Sequence, residues 1–205
     1  AFDHNACASF TLLVDGAGTD RITLGVPGVH NVYNSLAAIA AAHELGIENE
    51  QIKAGLLAFS GTHRRFEKKG ELRGITIIDD YAHHPQEIAA TLSTAQNYPH
   101  REVWCVFQPH TYTRTKALMD DFAKALSMAD HVVLADIYPA RETDTLGISS
   151  GMLAEKIAAL GTDSHYFPGF EEIEKFLLEK CVNGDLLITM GAGDIVKVGE
   201  KLLEQ

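Results

Sequence analysis

Ile75-Thr76-Ile77-Ile78-Asp79-Asp80-Tyr81-Ala82-His83-His84-Pro85 is a short apolar run that ends in titratable groups and a proline. The run is too continuous for a strand with one wet face and reads as a strand covered on both sides. Working outward, the same signature returns at Val103–Phe107, Val132–Ala135 and Leu186–Thr189. Helical stretches separate these runs at Gln86–Gln96, Thr115–Ser127, Gly151–Leu160 and Phe170–Cys181, and Asp194–Glu204 comes after the last. Lys69–Arg73 and Ser164–Phe167 are candidates for further strands. Buried strands alternating with helices imply parallel pairing. Residues 62–205 are therefore expected to form an α/β domain, a Rossmann-like doubly wound and mostly parallel sheet.

Residues 1–61 show a different pattern. Ala8–Val14 and Arg21–Val26 read as a β-hairpin around the loop Asp15–Asp20, with helices after it at His30–Leu45, stopped by Gly46, and at Glu48–Ala58. Ser60–Arg65 reads as a linker. A hairpin and two helices make a poor core alone, so this segment is expected to be the tail of a preceding domain, and the chain an excised piece of something longer.

The whole chain has 205 residues and 46% hydrophobic content, enough for one good core and part of a second. A net charge of -11 argues against nucleic-acid and anionic-membrane partners, which reward a basic face. No apolar run approaches the roughly 18 residues of a membrane span. Cys7, Cys105 and Cys181 are odd in number and far apart, which fits reduced, buried thiols in a cytoplasmic protein.

In a parallel sheet the strand carboxyl ends share one edge, and ligands bind outside it. The residues just past each run accordingly carry the functional information. Past the first stand Tyr81, His83 and His84; past the second, Gln108, His110, Tyr112, Arg114 and Lys116; past the third, Asp136, Arg141 and Glu142. Gly191-Ala192-Gly193-Asp194 stands past the fourth. Asp79 or Asp80 could serve only as a helix cap ahead of Pro85. His83-His84 has no Cys or carboxylate at zinc-site spacing, so no metal centre is expected. The glycine pair lacks the third glycine of a dinucleotide fingerprint, that position being Val196, which favours a tight turn into a helix. Arg114 and Lys116, placed in the first turn of a helix, would oppose its macrodipole and so favour a bound anion. In the first segment His30, Asn31 and Asn34 share one surface at a helix start, which suits polar recognition of a planar ligand.

Four motifs in order resemble the Mur ligases, over essentially the whole chain. Gly28-Val29-His30-Asn31-Val32-Tyr33-Asn34-Ser35 resembles their adenine-contacting helix, and His63-Arg64-Arg65-Phe66-Glu67 their interdomain motif. Asp79-Asp80-Tyr81-Ala82-His83-His84-Pro85 is similar to the motif that holds the ATP ribose. Gln108-Pro109-His110-Thr111-Tyr112-Thr113-Arg114-Thr115 resembles the amino-acid end of the alanine-adding members. One departure is Thr111, where some of those members carry arginine.

The resemblance implies ATP-dependent joining of L-alanine to UDP-N-acetylmuramate through an acyl phosphate, in peptidoglycan precursor synthesis. His30, Asn31 and Asn34 would flank adenine, Asp80 would meet the ribose, and Arg65 rather than Arg64 would reach the phosphates. Tyr81, His83, His110 and Arg114 would receive alanine, with His83, His110 and Arg114 as the catalytic set. The family has three domains, and no G-x-x-x-x-G-K-[ST] occurs here. The P-loop and the Mg2+ ligands are therefore expected upstream, residues 1–61 are expected to end the central ATPase domain, and the fragment is expected to be inactive alone. The rival readings are a member that re-attaches a recycled tripeptide to the same sugar, and a free-standing Rossmann-type nucleotide-binding module.

Overall fold

A computed structural model describes residues 1–14, 17–144 and 146–205. The chain divides into two compact units, one of residues 1–62 with 93–99 and the other of residues 63–92 with 100–205.

In the first unit β1 (Cys7–Val14) pairs antiparallel with β2 (Ala17–Pro27). Pairing continues to Val14↔Ala17, so the strands run further toward the tip than the expected loop 15–20 allowed. Asp15 and Gly16 of that loop lie outside the described residues. Ile22, Leu24 and Val26 alternate along β2 with less buried neighbours, the pattern of a strand with one covered face. With Ala8 they form a small core against Ile39 of α1 (Val29–Glu44) and Ile52 of α2 (Asn49–Ala58). Helix α1 stops as expected. Gly46 takes φ 73°, its N–H donates to His43 O and Ile47 N–H donates to Ala42 O, which together satisfy the last carbonyls.

The second unit is a six-stranded sheet in the order β3-β4-β8-β5-β6-β7. Strand β3 (Glu67–Leu72) is antiparallel to β4 (Ile75–Asp80). Strands β4, β8 (Leu186–Met190), β5 (Val103–Phe107), β6 (His131–Leu134) and β7 (Asp163–Tyr166) are mutually parallel. The central strands β5 and β8 are buried at every position, which explains their unbroken apolar runs.

Alternate side chains serve the two faces. Ile75, Ile77, Trp104, Val106, Val133 and Leu187 meet α7 (Phe170–Lys180) and α8 (Val196–Leu203) through Ile173, Leu177, Val198 and Leu202. On the opposite face Phe107 meets Phe122 of α5 (Met119–Leu126), with ring centroids 5.7 Å apart, and α5 packs on α6 (Ser150–Ala159). The sheet is doubly wound, as expected.

One element differs from its sequence reading. The single helix expected over Thr115–Ser127 is two, α4 (Tyr112–Ala117) and α5, broken at Leu118 (φ -116°, ψ 20°). The break lets α5 bury Phe122, Ala123, Ala125 and Leu126 on a course of its own. In the six-residue α4 Arg114 is the third residue and Lys116 the fifth, so Lys116 lies in the last turn while Arg114 belongs to both turns.

Candidate active site at the carboxyl edge of the sheet

Register sets the site. Asp80 and Phe107 both lie opposite Met190, and Phe107 lies opposite Leu134, so the segments leaving four strands emerge at one level. Helix α3 (Pro85–Ala95) starts there, and so does α4.

The two aspartates are held differently, and neither caps α3. Asp79 is fully buried; its Oδ2 accepts from Arg64 Nε at 2.7 Å and its Oδ1 from Thr189 Oγ1 at 2.8 Å. Arg64 also donates to Gly191 O at 2.9 Å and Gly193 O at 3.3 Å, and its guanidinium lies 4.9 Å from the centroid of the Tyr81 ring. Each donating nitrogen of that fork has an acceptor. Asp80 Oδ1 accepts from Ala82 N–H and Oδ2 from Phe66 N–H, both at 2.8 Å. Burial pushes the Asp80 carboxyl above the usual carboxylate range, against the pull of those two amides and of Arg65. Arg65 points elsewhere, half-exposed, with Glu87 at 4.0 Å. The first turn of α3 is met instead by His84, whose Nδ1 accepts from Gln86 N–H at 3.4 Å, while Glu87 accepts from His83 N–H at 3.1 Å.

Two imidazoles face one another across the edge. The ring centroids of His83 and His110 are 6.1 Å apart, and Tyr81 meets His83 edge-on at 5.6 Å. His83 Nδ1 lies 3.0 Å from Tyr81 O and 3.5 Å from Glu87 Oε2. His110 stacks on Tyr138 at 5.4 Å, and its Nδ1 is buried without a hydrogen-bond partner. Burial pushes the His110 pKa below the usual imidazole value, and the positive charge of Arg114 and the neighbouring His83 act the same way. Arg114 Nη1 is likewise buried and unpartnered. Buried polar atoms are almost always hydrogen-bonded, so these two, on residues four apart in sequence, are open to a polar partner.

The structure thus brings Tyr81, His83, His110 and Arg114 together, with Asp80 at the same edge. His30, Asn31 and Asn34 lie at the start of α1 in the other unit. Gly28, not an asparagine, holds the N-cap position there. Asn31 Nδ2 donates to Pro27 O at 2.8 Å, and Asn34 Nδ2 donates to Asn31 Oδ1 at 3.0 Å. Sequence reasoning gives Tyr138 no role. It points to the segment past β6, but the bridge between His110 and Tyr138 continues parallel pairing beyond the strand ends, which leaves no trace in composition. Among the described residues no group of three or more His, Cys, Asp or Glu is arranged to hold a metal, and no helix is long and apolar enough to cross a membrane.

Comparison with known proteins agrees with this architecture. The family model described as Mur ligase, glutamate ligase domain, matches residues 64–193. The UDP-N-acetylmuramate–L-alanine ligase of Lachnospira eligens is 65% identical over 204 residues, covering 100% of this chain and 44% of that protein. The enzyme of the same name from Agathobacter rectalis is 59% identical over the same shares. Among solved structures, the UDP-N-acetylmuramate–alanine ligase of Thermotoga maritima superposes with a TM-score of 0.83 at 32% identity, over 98% of this chain and 43% of that one. A murein peptide ligase from Psychrobacter arcticus gives 0.65 at 27% identity, over 90% of this chain and 38% of that one. The chain spans under half the length of the curated relatives it matches. The matched segment runs from Arg64 through both imidazoles to the Gly193 turn, and the chain belongs to the Mur ligase family.

Proposed function

We propose that this chain is part of an ATP-dependent ligase that joins L-alanine to UDP-N-acetylmuramate in cytoplasmic peptidoglycan precursor synthesis. The observation that carries the reading is the meeting of His83, His110 and Arg114 at the ends of β4 and β5, where one guanidinium nitrogen and one imidazole nitrogen lack protein partners. An amino acid offers a carboxylate for the first and an amine for the second.

In this reading the lactyl carboxylate of the sugar attacks the γ-phosphoryl group of ATP and ADP departs. The alanine amine then attacks the acyl phosphate, and collapse of the tetrahedral adduct releases phosphate. Positioning and charge stabilisation do most of this work. Arg114 would hold the alanine carboxylate through its fork, and Tyr81 would border the same pocket. His110, kept neutral near pH 7 by its surroundings, can accept the amine proton at Nδ1. His83, whose Nδ1 already faces Tyr81 O, would orient the amine.

For the nucleotide, His30, Asn31 and Asn34 would flank the adenine. Arg65 has no tight protein partner, which suits it to the phosphates better than Arg64. Asp80 would receive the ribose hydroxyls through the lone pairs that its two amide donors and Thr91 leave. Residues 1–61 would close the central ATPase domain. The P-loop and Mg2+ ligands would lie outside these 205 residues, and Mg2+ would neutralise phosphate charge there.

The test is alanine-dependent ADP release by a protein that spans the relatives' full length, with Arg114→Lys beside it. The expected result is release that requires both UDP-N-acetylmuramate and alanine, with kcat/KM for alanine reduced about 10- to 100-fold in the variant. Turnover with a tripeptide in preference to alanine would overturn the assignment.

A further inference from the structure

We propose that Tyr138 is a positioning residue for His110: its ring, stacked on the imidazole and packed close to Gly193, fixes the plane in which the imidazole meets the substrate amine. The proposal takes its substrate from the ligase reading, but the geometry stands by itself.

The two rings stack at 5.4 Å with an interplanar angle of 25°. Tyr138 N–H donates to Pro109 O at 2.8 Å, and its carbonyl accepts from Thr111 N–H at 2.9 Å, so the backbone grips His110 from both sides. Gly193 also packs against the Tyr138 ring. A Cβ there would come within 3.0 Å of the Tyr138 ring and 2.4 Å of Gln108 Oε1. Only a residue without a side chain lets the ring sit against that turn. Thr111, held to Tyr138 O, takes φ 70° and ψ 141°, a conformation that β-branched residues almost never adopt. Strain of this kind persists where surrounding contacts over-determine it, and Tyr138 supplies the contact. With Nδ1 unpartnered, packing against Tyr138, closer than His83 at 6.1 Å, is the nearest ring contact that sets how the imidazole is turned.

Histidine-detected NMR titration of the chain tests this, with His131 as internal reference because it stacks on Trp104, at the strand end opposite His110. The other charged or titratable groups that act on His110 are Arg114, His83 and Glu142, and they are left unchanged. In Tyr138→Ala the midpoint of His110 should rise by roughly half a pH unit or more as burial is lost, while that of His131 stays put. Tyr138→Phe should titrate as the wild type does, because the ring face and not the hydroxyl does the positioning. If the alanine variant does not fold, Tyr138→Thr, whose short side chain likewise uncovers the imidazole, replaces it and is read the same way. An unmoved His110 midpoint in the ring-less variant, or a phenylalanine variant shifted as far as it, overturns the proposal.

In a protein of the relatives' full length, Tyr138→Ala should lower kcat at least about tenfold and leave KM for ATP unchanged. A kcat equal to that of the wild type overturns the positioning role. The NMR shift without any alanine-dependent turnover in the wild type would sink the functional reading and leave the seat of the imidazole intact.

Discussion

Arg64 and Arg65 are neighbours in sequence with opposite employment. Arg64 ties the buried Asp79 to two carbonyls of the turn after β8, whereas Arg65 reaches toward Glu87 from an exposed position. Arg64→Ala leaves a carboxylate with no exposure and no counter-charge, and should cost about 3–5 kcal/mol in a urea-unfolding measurement. Arg65→Ala should change unfolding by less than about 0.5 kcal/mol. If Arg65 serves the phosphates, its effect will instead be a higher KM for ATP. Asp79 and Asp80 show why such roles are hard to read from sequence. They are adjacent and identical, and what separates them is pleat. One side chain points to Arg64 and Thr189, the next to two backbone amides and Thr91.

At the scale of elements, the ends of helices hold the sharpest tests. Gly46 closes α1 at φ 73°, and a Cβ there would meet nothing within 4 Å. Gly46→Ala therefore isolates the conformational cost of a left-handed residue and should destabilise the first unit by about 1 kcal/mol, read from its thermal melt. The buried strands are legible in sequence because a strand covered on both faces has no polar period to hide its length. The site edge is legible for the same reason, since titratable groups begin where the apolar runs stop. The break at Leu118 is not legible. Apolar residues continue at helical spacing through it, and the signal of a broken helix is a backbone angle that Leu118 takes without a glycine or proline to announce it. With the break unseen, sequence alone joins Lys116 to the helix of Phe122, when it belongs to the six-residue α4.

Across the whole molecule, protonation should make stability fall on acidification. Burial alone would raise Asp163, but hydrogen bonds and charge from His131 and His165 hold it below the usual carboxylate range. Glu67 is likewise held low, its burial outweighed by Arg64 N–H, Lys69 and His63. A lowered carboxyl contributes stability above its unfolded pKa of about 4 and loses it as pH falls through the folded value. Asp80, with its raised pKa, works the other way, contributing most below about pH 4 and losing that as pH rises. Asp120 and Glu142, held low by Lys156 and by Thr113, act with Asp163 and Glu67 against Asp80 alone, so Tm should drop below about pH 4, and Asp163→Asn should flatten that limb. The order β4-β8-β5 has a temporal meaning too. A chain emerging from the ribosome can zip β5, β6 and β7 together early, yet must keep a strand-wide gap beside β5 until Leu186–Met190 arrive to fill it. Once β4 and β5 have emerged, nascent molecules will therefore show two sticky flanks, and chaperone capture should fall abruptly when the β8 segment is free to insert.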